Sequence, residues 1–269
     1  MARGIDTAAS AMVGIMALND TLANNLANIN TPGFKQSNVT FKSIQDVILS
    51  RSDNSSGNNS NNNTAPMGTI SLGSVVDSSC VDFRQAGIKV TSNPLDFAID
   101  GKGFFEIKTP SGIAYTRDGS FKRLSDGRIA TQDGNIVQCI TLPDKKTKDL
   151  ILKDVEIEKL KVNSDGSIDI DGQIDKKIKI VQFKDVYNLT PVGNSTFKFN
   201  DSTNNPQNKP VLGKGFELTQ RALETANSNV VETMVSSING MRTYEALSRV
   251  VDANKNTLSK AVNEVGRIR

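Results

Sequence analysis

The residues best placed to do chemistry are the carboxylates of Asp165-Gly166-Ser167-Ile168-Asp169-Ile170-Asp171-Gly172. Oxygen ligands at that density suit calcium. An EF-type loop needs Gly at its sixth position and Glu at its twelfth, however, and no frame here supplies both. Two successive hairpin turns explain the same residues. Gly101-Lys102-Gly103 and Gly213-Lys214-Gly215 are not phosphate loops, because neither continues into GK followed by Ser or Thr, or into GxGxxG. The sequence has no histidine, which removes the commonest general base and metal ligand and any Ser-His-Asp or Cys-His arrangement. Around Arg117, Lys122 and Arg123 the charges alternate with Asp and Ser, as on an ordinary solvated face. Paired carboxylates of the glycosidase kind occur on any β surface, and nothing selects one pair. A catalytic reading has no residue to stand on. The expectation is a protein that is not an enzyme, with no metal, no cofactor and no small-molecule substrate.

The two cysteines, Cys80 and Cys139, are too few for a disulfide framework. Each sits beside Val or Ile in a strand-like context, which suits free, buried thiols. With 32 basic and 29 acidic residues the chain is near charge balance, so it shows no electrostatic footprint for nucleic acid. No run of eighteen apolar residues is present, hence no transmembrane helix is expected. The first thirty residues are interrupted periodically by Asp6, Asn19, Asp20 and Asn24, unlike a cleavable signal. Aromatics make up only 5% of the chain and Trp is absent, from which a modest, aliphatic core is expected.

The elements that could position anything lie mainly at the two ends. From about Arg221 to Val265 the sequence reads as one long helix, roughly 60 Å at 1.5 Å per residue. Val231, Met234, Ile238 and Met241 recur at spacings of three and four, and the stripe shifts to Tyr244, Leu247 and Val251. Gly240 weakens it by about 1 kcal/mol relative to Ala. At the other end, from about Ile5 to Asn28, Met12, Ile15, Leu22 and Leu26 form a second stripe with Asn19 as its polar gap. Pro32-Gly33 ends that helix. The two helices fit either a coiled-coil-like stem closed by the chain ends or separate packing on a central domain. Length favours the stem.

Between them, Lys35–Leu49 reads as extended chain that turns helical near its end. Ser50–Thr64 is almost pure Ser, Asn and Gly and buries nothing to offset its ordering entropy. Asp-Gly then recurs at residues 100, 118, 126, 133, 165 and 171, a pair suited to tight hairpins. Short aliphatic runs separate these turns, which points to an antiparallel sheet, sandwich or partial barrel. The expected fold class is therefore α+β: long N- and C-terminal helices forming a coiled-coil-like stem, with a central antiparallel β domain. The expected boundaries are 1–34 for the N-terminal helix, 35–75 for an extended linker, 76–216 for the β domain and 217–269 for the C-terminal helix.

Three stretches resemble one family, the axial proteins of the bacterial flagellar rod and hook. They are Asn24-Asn-Leu-Ala-Asn-Ile-Asn-Thr-Pro-Gly-Phe-Lys35, then Asn93–Phe105 followed by Tyr115-Thr-Arg-Asp-Gly-Ser-Phe121 and Asp126–Ile129, and finally Leu223-Glu-Thr-Ala-Asn-Ser-Asn-Val230 leading to Met241–Glu245. They stand in the family's order. The resemblance implies a structural subunit of the basal-body rod, polymerising into the axial tube that carries torque to the hook. It implies export through the flagellar secretion apparatus without a cleaved signal, and a place in the basal body at the cell envelope. Its implied partners are copies of itself, other rod and hook proteins and the export apparatus. The helices would line the inner tube and the β domain its outer layer. The implied interface residues are Met12, Ile15, Leu22, Asn25, Leu26, Asn28, Pro32, Gly33, Phe34, Val231, Met234, Ile238, Met241, Tyr244, Leu247 and Val251. Length fits a short rod protein, proximal or distal, better than a hook protein. The alternative from another class is a secreted β-domain binding module, adhesin-like, oligomerised by its helices, which would need exposed aromatics.

Overall fold

The computed structural model describes residues 2–44, 47–51, 65–70, 73–141, 146–152, 160–170, 173–200, 210–213 and 215–266. The chain divides into two compact units, one of residues 1–26, 37–80 and 230–269, the other of residues 27–36 and 81–229. Of the sequence expectations, Ser50–Thr64 falls outside the described residues from position 52 onward, as do Asp171-Gly172 and Lys214.

The first unit holds α1 (Ala2–Ala27) and α2 (Val230–Gly266). It also holds β1 (Ser37–Ser43), β2 (Val47–Arg51), β3 (Ala65–Ile70) and β4 (Ser74–Val81). β1 pairs with β4, and β2 pairs antiparallel with β3. The segment read as turning helical near Leu49 is therefore strand there, within β2 (Val47–Arg51), and its described part has no helix. Its β-branched and aromatic residues, Val39, Thr40, Phe41, Val47 and Ile48, favour a paired strand once a partner from residues 65–81 is available. A two-stranded ribbon is marginal by itself, and this one leans on α1: the Phe41 ring packs where a Cβ on Gly14 would sit.

α2 begins at Val230 rather than near Arg221, because residues 217–224 are claimed by sheet pairing. β20 (Glu217–Gln220) pairs with β6 (Phe97–Asp100), and β21 (Ala222–Glu224) pairs with β5 (Ile88–Val90). These pairings join residues far apart in sequence and were invisible to local periodicity.

The rest of the second unit is a thirteen-stranded sheet among the described residues. It runs from β7 (Phe104–Thr109) and β8 (Gly112–Thr116) through β9 (Phe121–Arg123), β10 (Ile129–Thr131), β11 (Ile136–Thr141) and β12 (Lys146–Asp149). It continues with β13 (Lys161–Val162), β14 (Ser167–Ile170), β15 (Gln173–Ile178) and β16 (Ile180–Gln182). β17 (Leu189–Gly193), β18 (Thr196–Phe199) and β19 (Val211–Leu212) complete it. Every pairing is antiparallel. Three of the Asp-Gly pairs turn hairpins as expected, with positive φ at Gly127, Gly134 and Gly166; Asp100-Gly101 and Asp118-Gly119 do not, since the strands on either side of each pair with other partners.

Successive residues of β7 face opposite ways and enter two cores. Phe105 and Ile107 join an aliphatic core with Ile99, Ile129, Val137, Ile168 and Ile178. Phe104 joins a second core with Tyr115, Phe183 and Phe197. There the rings meet edge to face, Phe104 with Phe183 at 5.8 Å and Tyr115 with Phe183 at 4.8 Å between centroids, the geometry aromatic pairs prefer. The expectation of an aliphatic core is corrected. The few aromatics of this chain are gathered into these two cores, Phe97, Phe105 and Phe121 in the first and Phe104, Tyr115, Phe183 and Phe197 in the second, so a low percentage still builds ring clusters. Burial of its phenol raises the Tyr115 pKa to about 12.

Candidate assembly surfaces and the ionic joint

The residues expected at subunit contacts fall into three settings. On α1, Met12, Ile15, Leu22 and Leu26 are half-buried, while Asn25 is buried. The Asn25 side chain donates to Ser37 O at 2.8 Å and accepts from Ser37 N at 3.0 Å, fixing the chain where it returns as β1.

On α2 the single stripe read from the sequence separates into two faces. Thr233, Gly240, Tyr244, Leu247 and Val251 are buried or half-buried. Val231, Met234, Ile238 and Met241 are exposed, at 69%, 46%, 51% and 57%, together with Val235. At 3.6 residues per turn these five lie across the helix from Gly240. Gly240 faces Asn19 of α1, and a Cβ there would collide with the Asn19 side-chain oxygen. Near the other end of the pair Gly4 approaches Asn254. The two helices therefore run side by side in opposite directions at these points.

The third setting is the turn after α1, in the second unit. Thr31 N donates to Asn28 O at 3.0 Å and the Thr31 hydroxyl donates to Asn28 Oδ1 at 3.3 Å. Pro32 and Phe34 are half-buried. Gly33 has φ +66°, and a Cβ on it would run into the Arg117–Asp118 peptide. Only glycine meets both demands. Its N–H donates to Glu224 O at 2.8 Å.

Here the structure brings together three charges that the sequence did not link. Lys35 Nζ donates to Glu224 Oε1 at 2.6 Å, both side chains having no exposure. Arg117 Nη1 lies 3.3 Å from Glu224 Oε2, and Ala86 N donates to Glu224 Oε1 at 3.0 Å. Lys35 has a second acceptor in Arg84 O at 2.8 Å. Arg117 has Ile99 O at 3.1 Å and Gly101 O at 2.6 Å, with the Phe104 ring 5.3 Å from its guanidinium carbon. Burial lowers the pKa of both Lys35 and Arg117, opposed in each by the Glu224 carboxylate. The reading of Arg117 as part of a solvated face is corrected: alternation with Asp and Ser described Lys122 and Arg123, but Arg117 points inward from the end of β8. A charge run does not reveal which of its members has a buried counter-ion waiting elsewhere in the chain.

Asn227 ties neighbouring segments together. Its side chain accepts from Gln36 N at 2.7 Å and donates to Asp82 O at 2.7 Å, while Asp82 N donates to Gln36 O at 2.9 Å. Cys80 is exposed and Cys139 is buried, both free, so a buried thiol was expected correctly only at Cys139. β4, which carries Cys80, belongs to a two-stranded ribbon that covers little. Among the described residues no group of three or more His, Cys, Asp or Glu is arranged to hold a metal ion.

The chain is α+β, with its two terminal helices in one unit and Lys35, Arg117 and Glu224 meeting inside the other. Residues 5–35 match the family model described as flagella basal body rod protein. Residues 98–170 match the flagellar hook protein FlgE/F/G D1 domain, and residues 219–264 match the flagellar basal body rod FlgEFG protein C-terminal. The chain is 31% identical to the flagellar basal-body rod protein FlgG of Borreliella burgdorferi over 98% of each chain. It is 30% identical to that of Buchnera aphidicola subsp. Schizaphis graminum over 90% of this chain and 91% of the relative. The flagellar hook-basal body complex protein FlhO of Bacillus subtilis is 24% identical over the whole of both. The chain belongs to the flagellar basal-body rod and hook protein family. Lys35, Arg117 and Glu224 each come from a different one of the three matched segments.

Proposed function

We propose that this chain is a structural subunit of the flagellar basal-body rod, not an enzyme, and that it assembles with copies of itself and with other axial proteins of the flagellum. The observation that carries the assembly reading is the outer face of α2, where Val231, Met234, Val235, Ile238 and Met241 are all exposed. Five large apolar side chains within eleven residues form a patch that a member of a polymerising family covers with its neighbours. On this reading α1 and α2 form a coiled-coil-like stem lining the inner tube. The β unit makes the outer layer, and the polymer passes torque from motor to hook. The expected interface residues, Met12 to Val251 as named above, belong to the same proposal. So do export through the flagellar secretion apparatus without a cleaved signal and a position in the periplasmic part of the basal body.

The adhesin-like alternative needs an aromatic platform on the β unit. Among the described residues of that unit Tyr187 is the strongly exposed aromatic, at 76%, and one ring makes no platform. The test is the double variant Ile238→Asp/Met241→Asp, followed by basal-body fractionation and motility. Loss of the protein from basal bodies with a folded β unit is expected. Normal incorporation would remove the outer face of α2 from the interface.

A further inference from the structure

The joint around Glu224 has one anion and two cations, and the two cations do not depend on it equally. Arg117 retains two backbone carbonyls and the face of Phe104 if the carboxylate is taken away. Lys35 retains Arg84 O and a weak attraction to the Asp82 carboxylate, and its side chain has no exposure to water. A buried ammonium that loses its counter-ion is strongly disfavoured. Lys35 therefore needs Glu224 in order to stay where it is, and Lys35 follows directly on Gly33 and Phe34, which dock beside it.

Glu224 lies on β21, in the last segment of the second unit to be synthesised. Its backbone carbonyl accepts from Gly33 N while its side chain accepts from Lys35. The single residue thus holds segment 33–36 twice, once through a bond any residue at 224 could offer and once through a charge only a carboxylate supplies. Asn227, three residues on, adds its bond to Gln36 N.

We propose that Glu224 is the key of an ionic interlock: the N-terminal segment 33–36 docks on the β unit only when the C-terminal segment has delivered its carboxylate. Gly33, Phe34 and Lys35 stay undocked in a chain whose C-terminal segment is missing or displaced. Incomplete subunits are thereby kept from presenting a finished N-terminal turn. This device goes beyond the assignment as a rod subunit and does not depend on assembly, since every group in it belongs to one chain.

The test uses the full-length monomer. Acetylation by a water-soluble succinimidyl ester, read by mass spectrometry, compares Lys35 with the exposed Lys102. In the unaltered protein Lys102 is acetylated and Lys35 protected. In Glu224→Gln, labelling of Lys35 rises on the order of a hundredfold, in line with the breaking of a buried ion pair, and hydrogen exchange at the Gly33 amide accelerates with it. Adding Lys35→Met removes the stranded cation, so the double variant Lys35→Met/Glu224→Gln regains slow exchange at Gly33. If Glu224→Gln alone fails to fold, the double variant is still expected to fold and to protect Gly33. Two results overturn the interlock: Lys35 remaining protected in Glu224→Gln, or a double variant as open at Gly33 as the single or unable to fold. The second would mean that Glu224 matters for its packing and not for the charge it pairs.

Discussion

Asn19 of α1 faces Gly240 of α2, and the Asn19 side-chain oxygen is buried without a hydrogen-bond partner among the described residues. A polar residue placed in a helix seam lowers stability and favours one register over others. Gly240 leaves the space that Asn19 occupies.

That relationship makes the two positions non-additive. Gly240→Ala gains about 1 kcal/mol of helix propensity but loses roughly 2 kcal/mol to overpacking against Asn19, a net loss. In an Asn19→Ala background the collision is gone, so Gly240→Ala becomes stabilising by about 1 kcal/mol. Thermal melts of the helical circular dichroism signal in all four proteins complete the cycle. The same sign for Gly240→Ala in both backgrounds would separate the two residues.

Gly33→Ala is expected to cost at least about 3 kcal/mol, combining a left-handed backbone with a collision against backbone that cannot rotate away. Urea unfolding of the second unit measures it, and Gly33→Asn, which tolerates positive φ better, does not rescue it because the collision remains.

The acid limb of stability has contributions of opposite sign. The Arg84 side chain, hydrogen-bonded to Asp82, lowers the Asp82 pKa. Its folded value lies below the unfolded one of about 4. Asp82 therefore stabilises the fold above that pH, and the contribution is lost as pH falls through the depressed value. Burial raises the Asp118 pKa, with a Ser120 hydrogen bond opposing. Its contribution is fully present below about 4 and is lost as pH rises through the raised value. Asp82→Asn should be less stable than the parent at neutral pH, with the gap closing in acid. Asp118→Asn should be more stable at neutral pH, and that gap also closes in acid. Urea midpoints across the pH range check both.

Cys80 should react with a maleimide in the native protein, and Cys139 only after unfolding, its thiol being buried and its pKa raised by that burial. Peptide mapping after labelling with and without urea distinguishes them. Equal rates would contradict the burial of β11.

What the sequence made legible was whatever depends on neighbours in the chain. The period of α1, its end ahead of Pro32-Gly33 and the hairpins at Asp126-Gly127, Asp133-Gly134 and Asp165-Gly166 are local, and all are present. The start of α2 was misplaced because β20 and β21 are held by β6 and β5, more than a hundred residues away. The ribbons of β1 with β4 and of β2 with β3 were hidden for a similar reason, since the partners of β1 and β2 lie beyond residue 64. At the joint, Gly33 was legible as a turn residue, but Lys35, Arg117 and Glu224 looked like three ordinary charges. Counter-ions separated by 189 positions leave no spacing to read. The motifs that carry the family resemblance contained all three, and their convergence gives those motifs a physical content.

The two apolar sides of α2 set the valence of the molecule. A helix with one apolar side is saturated by a single neighbour, and its domain closes. α2 has already spent one side on α1, and the side bearing Ile238 and Met241 remains unsaturated in the monomer. Such a chain has a solubility threshold built into its secondary structure. Below it the subunit survives alone with wetted methyl groups, and above it, on the assembly reading proposed here, each added copy would cover the patch of the one before.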